Sequence, residues 1–422
     1  MRSRLVGWLL PARLGTEFRW LWSASTLTNL GDGVLIAAMP LLVASLTRDP
    51  LAVAAAVFLQ QVPWLLFGAV AGALVDRLDR RRLVLVVDTL RALVFGVLAL
   101  VIVTDHVSLP IVLGAAFALG TAEALVDNAT AALVPTFVPS AHLGIANSRL
   151  FGIRQLVNQL GGPPLGAFLF TVGVAVPFGV TGVCLVLAVV LISRVPPAPP
   201  APAVAGEERP RMRHEIAEGL RWLGAHPPVR TLAVTIALFN VTFGAAMAVF
   251  VLYATEILGL GEAGYGVLIS VGAVGGIVGA GADGWLERHF SLATLMRAGL
   301  VIETVTHLSL ALTRLPWVAA LTMLVFGVHA VVWGTTSTTV RQRAVPGPLL
   351  GRVTSVYMIG AVGGAALGAL VGGALAQGFG VLAPYWFGFA GSAVLTVVLW
   401  RTFDRIVHAA EVGEAQEGDP AP

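Results

Sequence analysis

The residues able to do chemistry are a few polar and ionisable side chains set inside long apolar runs. Asp32 follows Gly31 in the first run, and Glu123 and Asp127, four apart, share one helix face in the fourth. Arg154, Gln155, Asn158 and Gln159 crowd the fifth run, Asn240 is central in the seventh and His329 in the tenth. A charge in lipid without a partner is costly, so it persists only with a role or a counter-charge. A carboxylate held away from bulk water can load and release a proton near neutral pH, which suits Asp32 as a proton carrier and Glu123 as a similar group. Plainer readings compete. Asp32 could cap a helix break at Gly31-Asp32-Gly33, and Asp127 could belong to an inner gate, paired with an arginine of the basic loop at 77–82. His329 as a lone histidine defaults to a packing hydrogen bond, with a ligand role the minority reading. Asp88 and Arg91, three apart, read as an internal structural ion pair, and Arg154 as the group that neutralises a carboxylate of the fourth run. Glu303 and His307, four apart, receive no role from the pattern.

These residues must be positioned by helices in a bilayer. The chain has 422 residues, 57% hydrophobic and only 12% charged, with mean hydropathy +0.87. A soluble protein carries about 25% charged residues, so the balance excludes an ordinary soluble domain. Runs of about 20 apolar residues, each long enough to cross a bilayer core, are expected at 19–46, 51–75, 83–104, 108–134, 147–171 and 174–193. Six more follow at 229–255, 262–286, 291–313, 316–340, 350–376 and 381–402. Richness in Gly, Ala, Val and Leu favours helices over the alternating pattern of a barrel.

All 26 basic residues are Arg. With the N-terminus inside, 21 of them fall in inner segments and two, Arg48 and Arg314, outside; Arg91, Arg154 and Arg297 lie within runs. Both termini are therefore expected in the cytoplasm. The pI of 9.6 then describes a basic inner face toward anionic lipid, not a nucleic-acid surface. Cys184 is the only cysteine, which leaves neither a disulfide nor a zinc site. The apolar stretch Leu5 to Leu10 is too short for a signal peptide and reads as an interfacial segment. With no Lys and no phosphate-binding loop, direct ATP drive is excluded. The scattered histidines give no clustered catalytic set, so an enzyme is not expected.

The sequence divides in two. Pro196-Pro197-Ala198-Pro199-Pro200-Ala201-Pro202 is a stiff extended linker. After it, Arg211 to Ala225 reads as an amphipathic helix, with Ile216, Leu220 and Leu223 on one face, lying on the membrane surface or against the bundle. Gly72 and Asp76 are echoed by Gly279 and Asp283, and Val138-Pro139 by Val345-Pro346, at one common offset. Gly161-Gly162-Pro163-Pro164-Leu165-Gly166 resembles Gly363-Gly364-Ala365-Ala366-Leu367-Gly368. Such repeats place a substrate site between halves that rock about it.

Gly72-Ala73-Leu74-Val75-Asp76-Arg77, followed by Asp79, Arg80, Arg81 and Arg82, resembles motif A of the major facilitator superfamily. Asp79 stands where that motif usually has a second Gly. Gly162-Pro163-Pro164-Leu165-Gly166 resembles the end of the antiporter motif of its export branches, although Arg149 and Asn158 replace glycines upstream. A packing kink without directional meaning is the competing reading. Glu215-Ile216-Ala217-Glu218-Gly219-Leu220-Arg221-Trp222 and Arg341-Gln342-Arg343-Ala344-Val345-Pro346 look like phrases of the macrolide and enterobactin exporters. The resemblance covers essentially the whole chain. It implies an all-α membrane protein of twelve transmembrane helices in two pseudo-symmetric six-helix bundles: 1–194, a cytoplasmic linker 195–228, 229–402 and a cytoplasmic tail 403–422. In that fold spans one, four, seven and ten line a central cavity, which is where Asp32, Glu123, Asp127, Asn240 and His329 fall. Trp333 and Phe239 are expected near it, and Gly72, Asp76, Arg77, Arg80, Arg81, Gly162, Pro163 and Gly166 would gate it. The implied activity is proton-coupled antiport exporting a small amphipathic molecule across the inner membrane. Uptake or lipid translocation on the same fold is the alternative. Expected partners are protons, substrate and lipids; no nucleic acid or cofactor is implied, and a monomer is expected.

Overall fold

Apolar sequence with few interruptions folds here into long helices, because inside a bilayer every backbone polar group must be bonded within its own segment. The computed structural model describes residues 14–197 and 212–403, without the side chains of 68–73, 76–77 and 212–213. The interfacial segment before residue 14, most of the proline-rich linker and the tail beyond 403 lie outside the described residues.

The helices are α1 (Gly15–Leu46), α2 (Pro50–Arg77), α3 (Arg80–Val103), α4 (Leu109–Phe137), α5 (Leu143–Ile153), α6 (Gly162–Val172) and α7 (Val176–Ile192). There follow α8 (Met212–Ala225), α9 (Pro227–Ala248), α10 (Glu262–His289), α11 (Leu292–Leu312), α12 (Pro316–Ala344), α13 (Gly347–Phe379) and α14 (Ala383–Leu399). Strands are absent among the described residues. Nine of these helices are long and apolar enough to cross a membrane; α7 and α14 are shorter apolar helices, and α5 and α6 are joined by a π-helical stretch, Arg154–Gly161. The fold is the all-α membrane architecture expected, with the count of twelve spans remaining an expectation.

Two compact units form. One comprises 14–48, 59–197 and 260–270, the other 49–58, 212–259 and 271–403. Within the first, α1 packs on α6 and α7, and α3 on α4 and α7. Within the second, α9 packs on α13 and α14, and α11 on α12 and α14. Each unit thus repeats one scheme, so the sequence echo is an echo of packing. The amphipathic helix α8 lies against α13: Leu223 is buried with Val229, Val345 and Val353, and Glu218 pairs with Arg352 at 2.7 Å. The two exporter-like phrases therefore meet in space.

Candidate functional site

The site is built where α1 meets the π-helical stretch and α6, and small residues make that approach possible. A Cβ on Gly33 would strike the backbone of Asn158, one on Gly162 the backbone of Gly33, and one on Gly166 the carbonyl of Val34. Glycines let helix backbones touch in this way. The π-helical wind follows from the sequence just after it. Pro163 and Pro164 have no N–H, so the carbonyls of Gln159 and Leu160 lose their ordinary helical donors. The Gly162 N–H instead reaches the Val157 carbonyl, and the Ser270 hydroxyl donates to the Leu160 carbonyl at 2.8 Å. Such wide turns frequently occur at functional sites.

This seam opens onto a cavity of about 730 Å³ in the first unit. Its wall carries Asp32, Glu123, Asp127, Arg154 and Asn158, all anticipated from sequence, together with Arg91, Gln60, Gln61 and Gln159. Asp32 is not the cap of a break, since α1 runs unbroken through Gly31 and Gly33. Its carboxylate takes a hydrogen bond from Arg91 Nη2. Arg91 Nη1 donates to Asp88 Oδ1 at 3.1 Å, with both side chains almost wholly buried. Arg91 is therefore a shared counter-ion to two helices, not merely the partner of its neighbour on α3. The Asp88–Arg91 spacing was legible; the third member, 59 residues away, was not.

Arg154 lines the same cavity as Glu123 and Asp127, without a direct ion pair to either among the described residues. Arg91, carried by α3, meets Asp32 of α1. Trp333 and Phe239 are buried in the second unit's core, ring to ring at 5.7 Å. Gln60 and Gln61 were missed, although two adjacent amides inside an apolar run were a usable signal.

Asn240 and His329 do not join this cavity's wall. The Asn240 amide donates to the Ile236 carbonyl on its own helix at 2.8 Å, where Gly364 packs over it. His329 faces Glu303, its Nε2 lying 3.5 Å from Oε2. His307 Nε2 lies 3.3 Å from the other oxygen of that carboxylate.

The basic loop is anchored to helix ends. Asp79 caps α3 by accepting from the Arg82 N–H at 3.0 Å, which supplies a start that a glycine would not. Arg80 donates to the Ala132 carbonyl near the end of α4 at 3.2 Å. Arg81 donates to the carbonyls of Ile192 and Ser193 at the end of α7, at 3.3 and 2.7 Å. The negative dipole end of a helix favours such cations. Gly72, Asp76 and Arg77 fall in the last turns of α2, and their surroundings lie outside the described residues. The repeat counterpart of Asp76, Asp283, accepts from the Thr335 hydroxyl at 2.8 Å and fastens α10 to α12.

Comparison with known proteins agrees with this architecture. The profile of a family described as transmembrane secretion effector matches residues 9–416. The multidrug efflux pump Tap of Mycolicibacterium fortuitum is 28% identical over 379 residues, spanning 86% of this chain and 90% of that protein. Among solved structures, the nucleoside transporter NupG superposes with TM-score 0.76 at 10% identity, over 93% of this chain and 100% of that one. A bacterial homologue of the human lysosomal transporter Spinster gives 0.71 at 15% identity, over 98% and 99%. A bacterial homologue of the iron transporter ferroportin gives 0.69 at 19%, over 93% and 98%. At such identities the structures bear on fold alone. The chain is a multi-pass membrane transporter for small molecules, and it belongs to the transmembrane secretion effector family of the major facilitator superfamily.

Proposed function

We propose that the chain exports small amphipathic molecules in exchange for protons, with the cavity of the first unit receiving both. One observation carries the reading: Asp32, Glu123 and Asp127 line a single cavity with only two guanidinium groups, and one of these, Arg91, is shared with Asp88. Four carboxylates thus share two fixed positive charges. An uncompensated carboxylate in a poorly hydrated chamber is neutralised either by a proton or by a cationic guest. Two ligands competing for one negative charge is the physical basis of exchange. Asp32 carries the proton, and Glu123 or Asp127 couples it to cargo; Asn158, Gln159, Gln60 and Gln61 supply hydrogen bonds that orient a polar end.

The relative described as a multidrug efflux pump supports export over uptake and a broad choice of cargo. The density of arginine in the inner segments supports cytoplasmic termini.

The test uses purified protein in liposomes with an imposed pH gradient and ethidium as a cationic aromatic probe. Accumulation driven by the gradient is expected in wild type and lost in Asp32→Asn, with folding checked by thermal unfolding. Unchanged coupling in Asp32→Asn would remove Asp32 from the mechanism. Protein sorted by orientation gives direction: probe leaving the cytoplasmic side supports export, and the reverse supports uptake.

A further inference from the structure

The first unit's cavity does not use Glu303, His307 and His329, yet these three form a buried ionisable cluster inside the second unit. Glu303 and His307 sit one turn apart on α11, and His329 reaches them from α12. Glu303 is 4% exposed, His307 1% and His329 7%. Each carboxylate oxygen has its own imidazole: Oε1 lies 3.3 Å from His307 Nε2, and Oε2 lies 3.5 Å from His329 Nε2. Both separations are within ion-pair distance without the alignment of a hydrogen bond, and both ring nitrogens of His307 lack a hydrogen-bond partner. Two glycines admit the rings. A Cβ on Gly388 of α14 would collide with the His307 ring, and one on Gly299 with that of His329.

Charge balance gives the cluster its chemistry. With both imidazoles neutral it is a lone buried anion, which is strongly unfavourable. One added proton makes it neutral overall; a second makes it a buried cation. Among the described residues only the two imidazoles lie within ion-pair distance of this carboxylate. On α11 itself, Arg297 donates to the Trp400 carbonyl. On α12, Arg341 lies toward the far end, over the Tyr357 ring. The helix α14 contributes only the buried Tyr385 as an ionisable side chain. No group of three such side chains among the described residues has the spacing to hold a metal ion. The fitting ligand is a proton.

We infer that Glu303, His307 and His329 form a proton-binding site in the second unit, distinct from the Asp32 cavity and loaded and unloaded as the transporter cycles. The proton comes from hydronium, adds to an imidazole nitrogen and returns to water; no other bond forms or breaks. His329, the least buried member, is the point of exchange. Its ring meets Phe326 edge-on at 5.9 Å and Trp333 at 6.0 Å, and aromatic rings favour an adjacent cation. Phe326 is stacked on Phe243 of α9 at 4.6 Å, so a change of charge at His329 is felt on the half-exposed faces of α9 and α12. The coupling role rests on the exchange reading above; proton binding itself does not.

Full-length protein labelled with ¹⁵N-histidine, in lipid nanodiscs, tests the site directly. Imidazole resonances followed from about pH 5 to 8 are expected to include an imidazolium at neutral pH that is assigned by His307→Gln and His329→Gln. That signal is expected to vanish in Glu303→Gln and to remain in Asp32→Asn. Neutral imidazoles at both positions across the range, or an imidazolium that survives Glu303→Gln, would overturn the site. Should Glu303→Gln fail to fold, the wild-type spectrum with the two histidine variants still decides. In liposomes, pH-driven ethidium accumulation is expected to be lost in Glu303→Gln; unchanged accumulation would overturn the cycling role. If Asp32→Asn kept its drive while Glu303→Gln lost it, the cavity reading would fall and this one would stand.

Discussion

The two units place a glycine seam at corresponding positions and build different things on it. In the first, Gly162 and Gly166 press α6 against α1, as Gly364 and Gly368 press α13 against α9 in the second. Between the glycines the first unit has Pro163-Pro164 and the second has Ala365-Ala366. The prolines remove two N–H donors and the helix widens into a π-helical stretch; the alanines keep α13 regular from Gly347 to Phe379. Charge follows the same division. The first unit spreads carboxylates around a cavity, with Arg91 as fixed counter-ion. The second encloses one carboxylate with two imidazoles. Arginine stays charged at any physiological pH while histidine does not. One duplicated frame therefore sets carboxylates beside an arginine in one half and a carboxylate beside histidines in the other.

Breaking that contrast has graded consequences. The largest loss of stability is expected for Arg91→Ala, which strands Asp32 and Asp88 as buried carboxylates; removing one partner of a buried pair costs about 3–5 kcal/mol. Thermal unfolding in detergent would show it, and a drop no larger than that of a surface variant would contradict the shared counter-ion. Next comes Gly166→Leu. It forces α1 and α6 apart, and overpacking costs about 1–3 kcal/mol; Gly368→Leu on the second seam should behave alike if the seams are equivalent. Ser270→Ala leaves the Leu160 carbonyl without its donor, for which about 1–3 kcal/mol is typical. Combining it with Pro164→Ala, which restores a backbone donor, should recover part of that loss. The smallest effect belongs to Arg352→Ala between α13 and α8. Its pair with Glu218 is partly exposed, and such pairs are worth about 0.2–1 kcal/mol.

Much of the frame was legible without coordinates. The apolar runs, the duplication and the amphipathic helix over Met212–Ala225 are local properties, of hydropathy, spacing and helical face, whereas the meeting of Asp32 with Glu123 and Asp127 was implied only by the family resemblance. The cluster on α11 was half legible: four-residue spacing joined Glu303 to His307, but nothing in it pointed to His329. Likewise the spacing of Asp88 and Arg91 gave a pair and hid its third member.

The sequence by itself determined which segments are helices and which side chains lie at membrane depth, because those follow from the energetics of burying backbone and charge in lipid. Tertiary structure decided which counter-ion each carboxylate meets, Arg91 for Asp32 and two histidines for Glu303. That choice depends on the rotation and depth of separate helices, set by glycine contacts a few ångströms wide, and no periodicity within one helix carries it.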